Sequence, residues 1–473
     1  MKVRFPMSHV AIVGGGISGL SAAYFLAKAG CNCTLIESSP VLGGVIRTET
    51  VDGCQIEAGP DSFIAQKPWA MELIRELGIA DQVVGSNDAA RRTFICRYGR
   101  LVPLPDGIQF LAPTKLLPLL TTPLFSWRAK ASMAMEWFYR PRHEQPDRSV
   151  AEFVRDHYGE EANEYLAQPM LAGVYGGSPE KLSVRSVLPR FVEIERQYGS
   201  LTRGMLRARG SQTAGSSRNG RPDPLFLTLR GGMQQLTDTL AAKIQSTVRR
   251  VTGTVEAFRT QGGNFLLSAR GETLTADQVV LAVPAYRAGQ LLQGRDAQLA
   301  ELLCSIPYSS SITAALLYDR PPWRHPLDGF GFLIPRAEQR PLAACTWVNT
   351  KFPGRVAENR VLLRGFLGAE QAEALSSSPD QEVARLAARE CKELMGFEQE
   401  TSAWRVHRWP RAMAQYEVGH QRRIEELEAR AAALPGLHLT GNAYSGIGIP
   451  DCIRRSREVA EKVMAQTAKR RDS

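Results

Sequence analysis

Near the start of the chain a glycine motif, Gly14-x-Gly16-x-x-Gly19, follows a short apolar run at His9–Val13. A helical pattern comes next, and a second apolar run then ends at Glu37, 18 residues after the last glycine. In such a unit the first glycine permits a tight turn, the second lets a pyrophosphate approach the backbone, and the third lets helix and strand pack closely. The motif therefore predicts a βαβ dinucleotide-binding unit whose acidic residue binds ribose hydroxyls.

A second glycine loop bears on which dinucleotide is bound. Six residues after Glu37 comes the segment GGVIRT at 43–48, followed by EAGPD at 57–61. A glycine loop with an arginine so soon after the acid suits a long dinucleotide, such as FAD, whose second half runs away from the βαβ unit, whereas NAD enzymes do not need it. Taken alone, the Gly43-Gly44 pair is equally consistent with a simple turn.

A third glycine-rich turn lies near the end of the chain. The segment GNAYSGIGIPDC at 441–452 leads into a closing helix. A glycine turn at a helix N-terminus can place backbone amides and the positive end of the helix dipole near an anionic part of a flavin. Considered by itself, the same turn could simply cap the helix.

The excess positive charge of the chain lies in two stretches. The net charge is +10; nine basic and two acidic residues lie from Arg91 to Arg142, and five arginines with no acid lie from Arg203 to Arg221. Neither stretch contains a known nucleic-acid-binding module, which disfavours a nucleic-acid-binding protein. The second stretch overlaps a Ser/Gly/Arg-rich segment, 210–224, for which we predict a surface loop.

The first basic stretch contains an apolar run, Ile108 to Phe125, which Lys115 and three prolines interrupt. It is too broken for a spanning helix. With Arg128 and Lys130 it suits an apolar surface rimmed by cations that sits on an anionic membrane. An internal lid with a solvated basic edge is the alternative.

The cysteines and histidines indicate no metal site and no disulfide framework. The eight cysteines are scattered without a CxxC pair, and none of the seven histidines pairs with another at ligand spacing. Such scattering predicts reduced, mostly buried thiols and a cytoplasmic protein. No secretion signal is evident at the N-terminus.

The motifs GGGISGL, GGVIRT, GPDS and GNAYSGIGIPDCI together resemble those of the flavin-containing amine oxidase superfamily. Three middle motifs are similar to the oxygen-dependent protoporphyrinogen/coproporphyrinogen oxidases of heme synthesis: QPMLAGVYGGSPEKLS at 168–183, LRGGM at 229–233 and WPRAMAQY at 409–416. The resemblance covers essentially the whole chain, and the GVYGGSPEKLS stretch is what points to this family.

The resemblance implies an α/β fold, α+β overall, with a Rossmann-like FAD-binding domain, a mixed-sheet substrate domain and a helical membrane-facing domain. We expect the FAD-binding domain to be built from three segments, residues 1–90, 225–300 and 421–473. The helical membrane-facing and substrate-entry domain would occupy residues 91–210, and the mixed-sheet substrate domain residues 301–420.

The resemblance also implies the residues that bind FAD: Gly14, Gly15, Gly16, Ile17, Ser18, Gly19, Glu37, Ser38, Gly43, Gly44, Val45, Arg47, Gly59, Pro60, Asp61, Ser62, Val255, Trp409, Gly441, Ile447, Gly448 and Ile449. The first glycine turn would hold the pyrophosphate and the 43–47 loop the central part of FAD. Val255 would lie by the adenine, and Gly448 and Ile449 by the isoalloxazine.

For the substrate, the resemblance implies an apolar site formed by Gly173, Leu333 and Phe366. Some family members place a substrate-orienting arginine where this chain has Thr93, flanked by Arg91 and Arg92. We therefore expect Arg92 to bind a propionate, although a solvated surface pair of arginines is an equal alternative.

The implied activity is oxidation of protoporphyrinogen IX or coproporphyrinogen III, with hydride transfer to the flavin and release of hydrogen peroxide. No catalytic side chain or metal is assigned, because the flavin carries the chemistry. The expected partners are the porphyrinogen, oxygen, an anionic membrane on its cytoplasmic face, a second copy of the chain and the next heme-pathway enzyme. An amine oxidase, a carotenoid-type desaturase and a non-redox flavin sugar-nucleotide mutase are the competing functions.

Overall fold

The computed structural model describes residues 8–109, 111–141, 145–212, 224–320 and 323–472. Most of the predicted surface loop at 210–224 therefore lies outside the described residues. The strands are β1 (His9–Val13), β2 (Asn32–Glu37), β3 (Thr48–Val51), β4 (Cys54–Glu57), β5 (Phe63–Ile64), β6 (Val83–Gly85), β7 (Thr93–Arg97), β8 (Arg100–Pro103), β9 (Ile108–Gln109), β10 (Ala112–Pro113), β11 (Phe226–Leu229), β12 (Val248–Thr252), β13 (Val255–Gln261), β14 (Asn264–Ala269), β15 (Glu272–Ala276), β16 (Gln278–Leu281), β17 (Tyr308–Asp319), β18 (Gly331–Leu333), β19 (Leu342–Trp347), β20 (Arg360–Leu367), β21 (Ala403–Ala414) and β22 (Leu437–Leu439).

Among the described residues there are eighteen α-helices, and eight of them follow one another between residues 116 and 212 with no strand between them. They are α1 (Ile17–Lys28), α2 (Pro68–Leu77), α3 (Leu116–Thr121), α4 (Trp127–Met135), α5 (Val150–Tyr158), α6 (Glu160–Ala162), α7 (Gln168–Tyr175), α8 (Val184–Val187), α9 (Pro189–Tyr198), α10 (Leu201–Gln212), α11 (Gln234–Ile244), α12 (Ala285–Leu292), α13 (Ala297–Cys304), α14 (Val348–Lys351), α15 (Ala369–Ala374), α16 (Asp380–Met395), α17 (His420–Ala432) and α18 (Ile449–Asp472).

A parallel sheet forms the first of the two large layers. Its strand order is β12-β2-β1-β16-β22, and every neighbouring pair is parallel. The central strands are almost continuously apolar and buried, as in β1 and β16, because both faces are covered: α1, α11 and α18 pack on one face, and strands β13–β15 pack on the other. The sheet thus gathers residues near 10, 35, 250, 280 and 438 into one layer, and the assignment of residues 1–90, 225–300 and 421–473 to one FAD-binding domain stays a prediction.

A seven-stranded mixed sheet, ordered β21-β17-β20-β19-β18-β7-β8, forms the second layer. Only the β7–β18 pair is parallel. Helix α16 covers one face, where its Val383, Ala387 and Cys391 pack with Leu316 and Leu363 of the strands. Strands β7 and β8 were predicted to lie in the helical domain at 91–210, but they pair with β18 and extend this sheet instead.

The helical layer spans α3 to α10. Helix α5 begins with a capping box, in which the Ser149 hydroxyl accepts a hydrogen bond from the Glu152 amide and the Glu152 carboxylate accepts one from the Ser149 amide. Phe153, Tyr158 and Leu166 are buried in its core. Among the described helices, none combines the length and the apolar character needed to cross a bilayer.

Candidate functional site

The first glycine turn joins β1 to α1 at the carboxyl edge of the parallel sheet. Gly14 has φ of 106°, a left-handed conformation that favours glycine. A Cβ on Gly19 would lie 1.8 Å from the Gly14 carbonyl oxygen, so helix and turn can approach only without a side chain there. Nothing lies within 4 Å of where a Gly16 Cβ would stand. The turn is therefore closed on the inside and open toward the N-terminus of α1, where an anion binds.

Glu37 lies beside this turn, at the end of β2. One of its carboxylate oxygens accepts a hydrogen bond from the Gly15 amide at 2.5 Å, and the other accepts bonds from the Ser39 amide at 2.7 Å and the Ser38 hydroxyl at 3.0 Å. The Glu37 carbonyl accepts a bond from the Gly253 amide at 2.8 Å, two residues before Val255. The predicted ribose and adenine residues are thus neighbours.

The second glycine loop packs directly on the first. The Gly43 amide donates to the Gly15 carbonyl at 2.8 Å, and a Cβ on Gly44 would lie 3.2 Å from the Gly16 Cα. Arg47 donates from Nε to the Gly44 carbonyl at 3.3 Å, which holds its guanidinium over the loop. The predicted pyrophosphate turn and the loop for the central part of the cofactor therefore form one continuous surface.

The terminal glycine turn lies on the same edge of the parallel sheet. Val13, Leu281 and Leu439 are in register at the ends of β1, β16 and β22. The turn from Gly441 to Gly448 follows β22, and α18 begins at Ile449. Ligands of open α/β sheets bind beyond the carboxyl ends of the strands, so both ends of a long dinucleotide have a place here.

These residues fit FAD. An open Gly16, a helix N-terminus, a carboxylate at the end of β2 and a second glycine turn across the sheet edge suit a pyrophosphate, a ribose and a distant ring system. In the described part of the chain, His, Cys, Asp and Glu form no group of three that could hold a metal ion.

The mixed sheet turns its other face toward this edge. Leu333, Ala344, Phe366 and Thr313 lie directly opposite one another on four neighbouring strands and therefore share a face. The Thr313 hydroxyl donates to the Ala58 carbonyl at 3.1 Å. This face therefore meets segment 57–62, which contains predicted cofactor residues and is called the cofactor segment below. Leu333 and Phe366, which were predicted to contact the substrate, thus lie along one row that ends at that segment. This row is called the wall below.

Gly173 joins the wall from the helical layer. A Cβ on Gly173 would lie 3.8 Å from Leu333 Cδ2, with no other heavy atom within 4 Å. The structure therefore brings Gly173 and Leu333 together, and it leaves open space where a side chain at Gly173 would stand.

Segment 57–62 joins the predicted cofactor site to the wall, and side-chain donors from the mixed sheet hold it. Trp409 donates from Nε1 to the Ala58 carbonyl at 2.7 Å, and Arg364 donates to the Gly59 carbonyl. The Arg364 guanidinium also lies 4.7 Å from the centre of the Phe366 ring. Arg364 and Thr313 were not predicted as site residues, although a lone arginine in the apolar run of β20 is a signal that could have found the first.

Asp61 is ionised in this junction. Its carboxylate accepts a hydrogen bond from Lys351 Nζ at 2.8 Å and another from the Ser62 hydroxyl at 2.6 Å. Burial alone would raise the pKa of Asp61, but the Lys351 ammonium and the Arg364 guanidinium lower it below the usual range. Burial lowers the pKa of Arg364, and the charge of Asp61 offsets only part of that effect. The acid therefore serves as a buried counter-ion here, which fixes the loop that carries Gly59 and Pro60.

Arg92 is not brought to this site. Its guanidinium is exposed and lies 3.2 Å from Asp328, while Arg91 pairs with Asp88 at 3.0 Å. Side chains alternate along β7, and Ile95 shares the face of Leu333, so Arg92 and Phe94 belong to the opposite side. The surface-pair alternative describes both arginines in this structure.

The chain is similar to known flavoenzymes over almost its whole length. The family model for flavin containing amine oxidoreductases matches residues 17–464. The coproporphyrinogen III oxidase of Bacillus subtilis (strain 168) is 34% identical over 95% of this chain and 96% of its own length. The protoporphyrinogen oxidase of Homo sapiens is 30% identical over 96% of this chain and 98% of its own. A crystal structure from Exiguobacterium sp. 255-15 is similar with a TM-score of 0.87 and 28% identity, over 97% of this chain and 99% of that chain.

Proposed function

The chain belongs to the flavin-containing amine oxidoreductase family, and we propose on that basis that it is an FAD-dependent oxidase of a porphyrinogen in heme biosynthesis. The observation that carries this function is the row of Leu333, Phe366 and Thr313, which leads along one sheet face to the cofactor segment at Ala58. An apolar wall that ends at the cofactor segment suits a large, mostly apolar macrocycle better than a small amine or a sugar nucleotide.

Bound FAD supplies two-electron acceptance, and a porphyrinogen must lose six electrons to become a porphyrin, so about three cycles are needed. The protein's own residues would position the porphyrinogen and keep water away from it. Leu333 and Phe366 exclude water along the wall, and Gly173 leaves space for the edge of a ring. Lys351 and Arg364 bond segment 57–62 and would keep it fixed through the successive oxidations.

Purified protein with its flavin tests the proposal. We expect a flavin absorption spectrum and porphyrin fluorescence when a porphyrinogen is added under air. Because the Bacillus subtilis relative is named for coproporphyrinogen III and the human relative for protoporphyrinogen, both substrates are compared. Protein that holds no flavin, or that oxidises neither porphyrinogen, would overturn the proposed function.

We also propose oxygen as the electron acceptor, with hydrogen peroxide as its product. Oxygen consumption in step with porphyrin formation supports this, in a ratio of about three oxygen molecules per porphyrin. Porphyrin formation at an unchanged rate without oxygen, using a dye as acceptor, would show that another acceptor serves equally well. A sugar-nucleotide mutase would consume no oxygen.

A membrane-facing surface is the second part of the proposal. Leu117, Trp127 and Phe138 are 72%, 72% and 70% exposed on α3, α4 and the turn after α4, and Arg128 is exposed beside them. Lys130, predicted at the rim, is instead buried under the Trp127 ring at 4.4 Å. Large exposed apolar residues beside a cation suit the interface of an anionic bilayer.

Sedimentation with phosphatidylcholine vesicles, with and without phosphatidylglycerol, tests this surface. We expect binding only to anionic vesicles, and loss of binding in a Leu117→Ser/Trp127→Ser double variant. Tyr98→Ser, which removes another exposed aromatic side chain, is the matched control and should bind as the wild type does. Equal sedimentation of the double variant and the control would contradict the proposal. A cytoplasmic location, a homodimer and hand-over to the next enzyme stay predictions.

A further inference from the structure

Gln415 follows the last residue of β21 and holds the end of helix α7. Its side-chain amide nitrogen lies 2.7 Å from the Tyr175 carbonyl, 2.9 Å from the Ser309 hydroxyl oxygen and 3.0 Å from the Met413 carbonyl. The Tyr175 carbonyl is the last of the helix and has no partner within it. A Cβ on Gly177 would lie only 2.0 Å from the Gln415 side-chain oxygen, so the chain after α7 packs tightly on this amide.

Tyr416, the next residue, holds the terminal glycine turn. Its hydroxyl donates to the Asn442 carbonyl at 2.7 Å and accepts from the Gly446 amide at 2.8 Å. Its ring stacks on His420 with centroids 4.1 Å apart, and it is 2% exposed. Burial raises the pKa of Tyr416 well above its usual value, so the hydroxyl keeps the proton that it donates.

The two side chains serve different parts of the proposed site. Consecutive residues of an extended segment point to opposite sides, so Gln415 reaches the helix that carries Gly173 while Tyr416 reaches the turn that leads to Gly448. Neither side chain belongs to the predicted cofactor or substrate set. One strand end therefore ties the substrate-wall helix and the cofactor turn to a common point.

We infer that Gln415 and Tyr416 are positioning residues that set the distance between the porphyrinogen wall and the flavin turn. This inference rests on the proposed function. Gln415 acts through α7 on the macrocycle, and Tyr416 acts through the 442–446 turn on FAD. Because each holds its own segment by separate hydrogen bonds, the two effects are separable.

The test measures two dissociation constants for each variant. FAD is titrated into deflavinated protein by flavin fluorescence, and coproporphyrin III is titrated into the holoenzyme by quenching, without turnover. Tyr416→Phe removes only the hydroxyl and should weaken FAD about 10-fold while porphyrin binding changes less than about twofold. Gln415→Met keeps the length of the side chain but removes the donor, and should weaken porphyrin about 10-fold with FAD changed less than about twofold.

Tyr158→Phe is the matched control, since its buried hydroxyl bonds Thr202 in the helical layer, away from both segments. It should leave both constants unchanged. If Tyr416→Phe and Gln415→Met weaken both ligands by the same factor, or if Tyr158→Phe does so too, the inference is overturned. Wild-type protein that binds FAD but no porphyrin and oxidises no porphyrinogen would overturn the proposed function, which is a different result.

Discussion

The indole nitrogen of Trp409 lies 2.7 Å from the carbonyl oxygen of Ala58, and this hydrogen bond ties the mixed sheet to the cofactor segment. The same carbonyl accepts the Thr313 hydroxyl, so both lone pairs of one oxygen are used by neighbouring strands. The distance between the substrate wall and the cofactor segment is thus fixed by two side chains on one atom.

Trp409→Phe should weaken FAD binding about fivefold, because one hydrogen bond contributes about 1 kcal/mol. The phenyl ring retains most of the apolar contact, so the melting temperature of the flavin-free protein should change little. Fluorescence titration of FAD measures the effect. Trp404→Phe is the control, since Trp404 lies on the opposite face of β21 and packs against the core under α16. Equal losses in both variants would contradict a specific role for the Trp409 bond.

Two glycines of the first turn should respond differently to alanine. A Cβ on Gly19 would meet the Gly14 carbonyl oxygen at 1.8 Å, whereas a Cβ on Gly16 meets nothing within 4 Å. Gly19→Ala should therefore destabilise the flavin-free protein by several kcal/mol. Gly16→Ala should leave that stability nearly unchanged and instead weaken FAD at least about 10-fold, since its methyl group fills the space for the pyrophosphate. Thermal melting measures the stability of each variant, and FAD titration measures its affinity for the cofactor. A Gly16→Ala protein with normal FAD affinity would contradict this prediction.

A buried histidine in the helical layer predicts a pH-dependent stability. His157 lies 3.2 Å from Glu136 and 3.1 Å from Glu195, and all three are buried. Burial alone would lower the pKa of His157, but its hydrogen bonds to the two carboxylates raise it above the usual value. Its stabilisation is therefore complete below about pH 6.5 and is lost as the pH rises through the raised value.

His157→Gln should cost about 3 kcal/mol near pH 6, and the difference from the wild type should shrink toward about pH 9. Urea denaturation at several pH values measures it. His438 is the counterpart, since burial lowers its pKa to about 4. The effect of His438→Gln should stay constant above about pH 6.5 and change only below it. A constant His157→Gln difference from about pH 6 to about pH 9 would contradict the charged imidazole.

The cysteines predict a simple labelling pattern. Cys304 is exposed, whereas six of the eight thiols are buried. Burial raises the pKa of Cys452 to about 11 and that of Cys33 to about 12, and a thiol that stays protonated reacts slowly. A thiol reagent should label Cys304 quickly in the native protein and all eight thiols after denaturation. Cys304→Ser should abolish the fast phase, and fast labelling that persists in this variant would be the opposite result.

The sequence predicted the cofactor half of the fold well, because its signals are local. The glycine turn, the helix and Glu37 lie within 24 residues, and the rule that ligands bind at the carboxyl ends of parallel strands brings Gly441 to the same edge. The placement of FAD along these residues stays a prediction.

The mixed sheet was harder to predict, since its pairings join distant segments. Strand β7 is five residues long and pairs with β18 more than 230 residues later, so it was assigned to the helical domain. The side of β7 that faces the wall was hard to predict for the same reason: only the pairing of Ile95 with Leu333 shows that Arg92 lies on the opposite side. Arg364 was missed because its partners, Gly59 and Asp61, come from another domain.

Strand β20 has a consequence for how this protein can change. Val361, Leu363 and Leu367 point toward α16, while Arg364 and Phe366 point toward the cofactor segment. In a saturation library of β20, substitutions at Val361, Leu363 and Leu367 would change mainly the yield of folded protein. Substitutions at Phe366 would change mainly which macrocycle the protein accepts. Selection for a new substrate can therefore act on Phe366 without touching Val361, Leu363 and Leu367, which pack in the core on the other face of the strand.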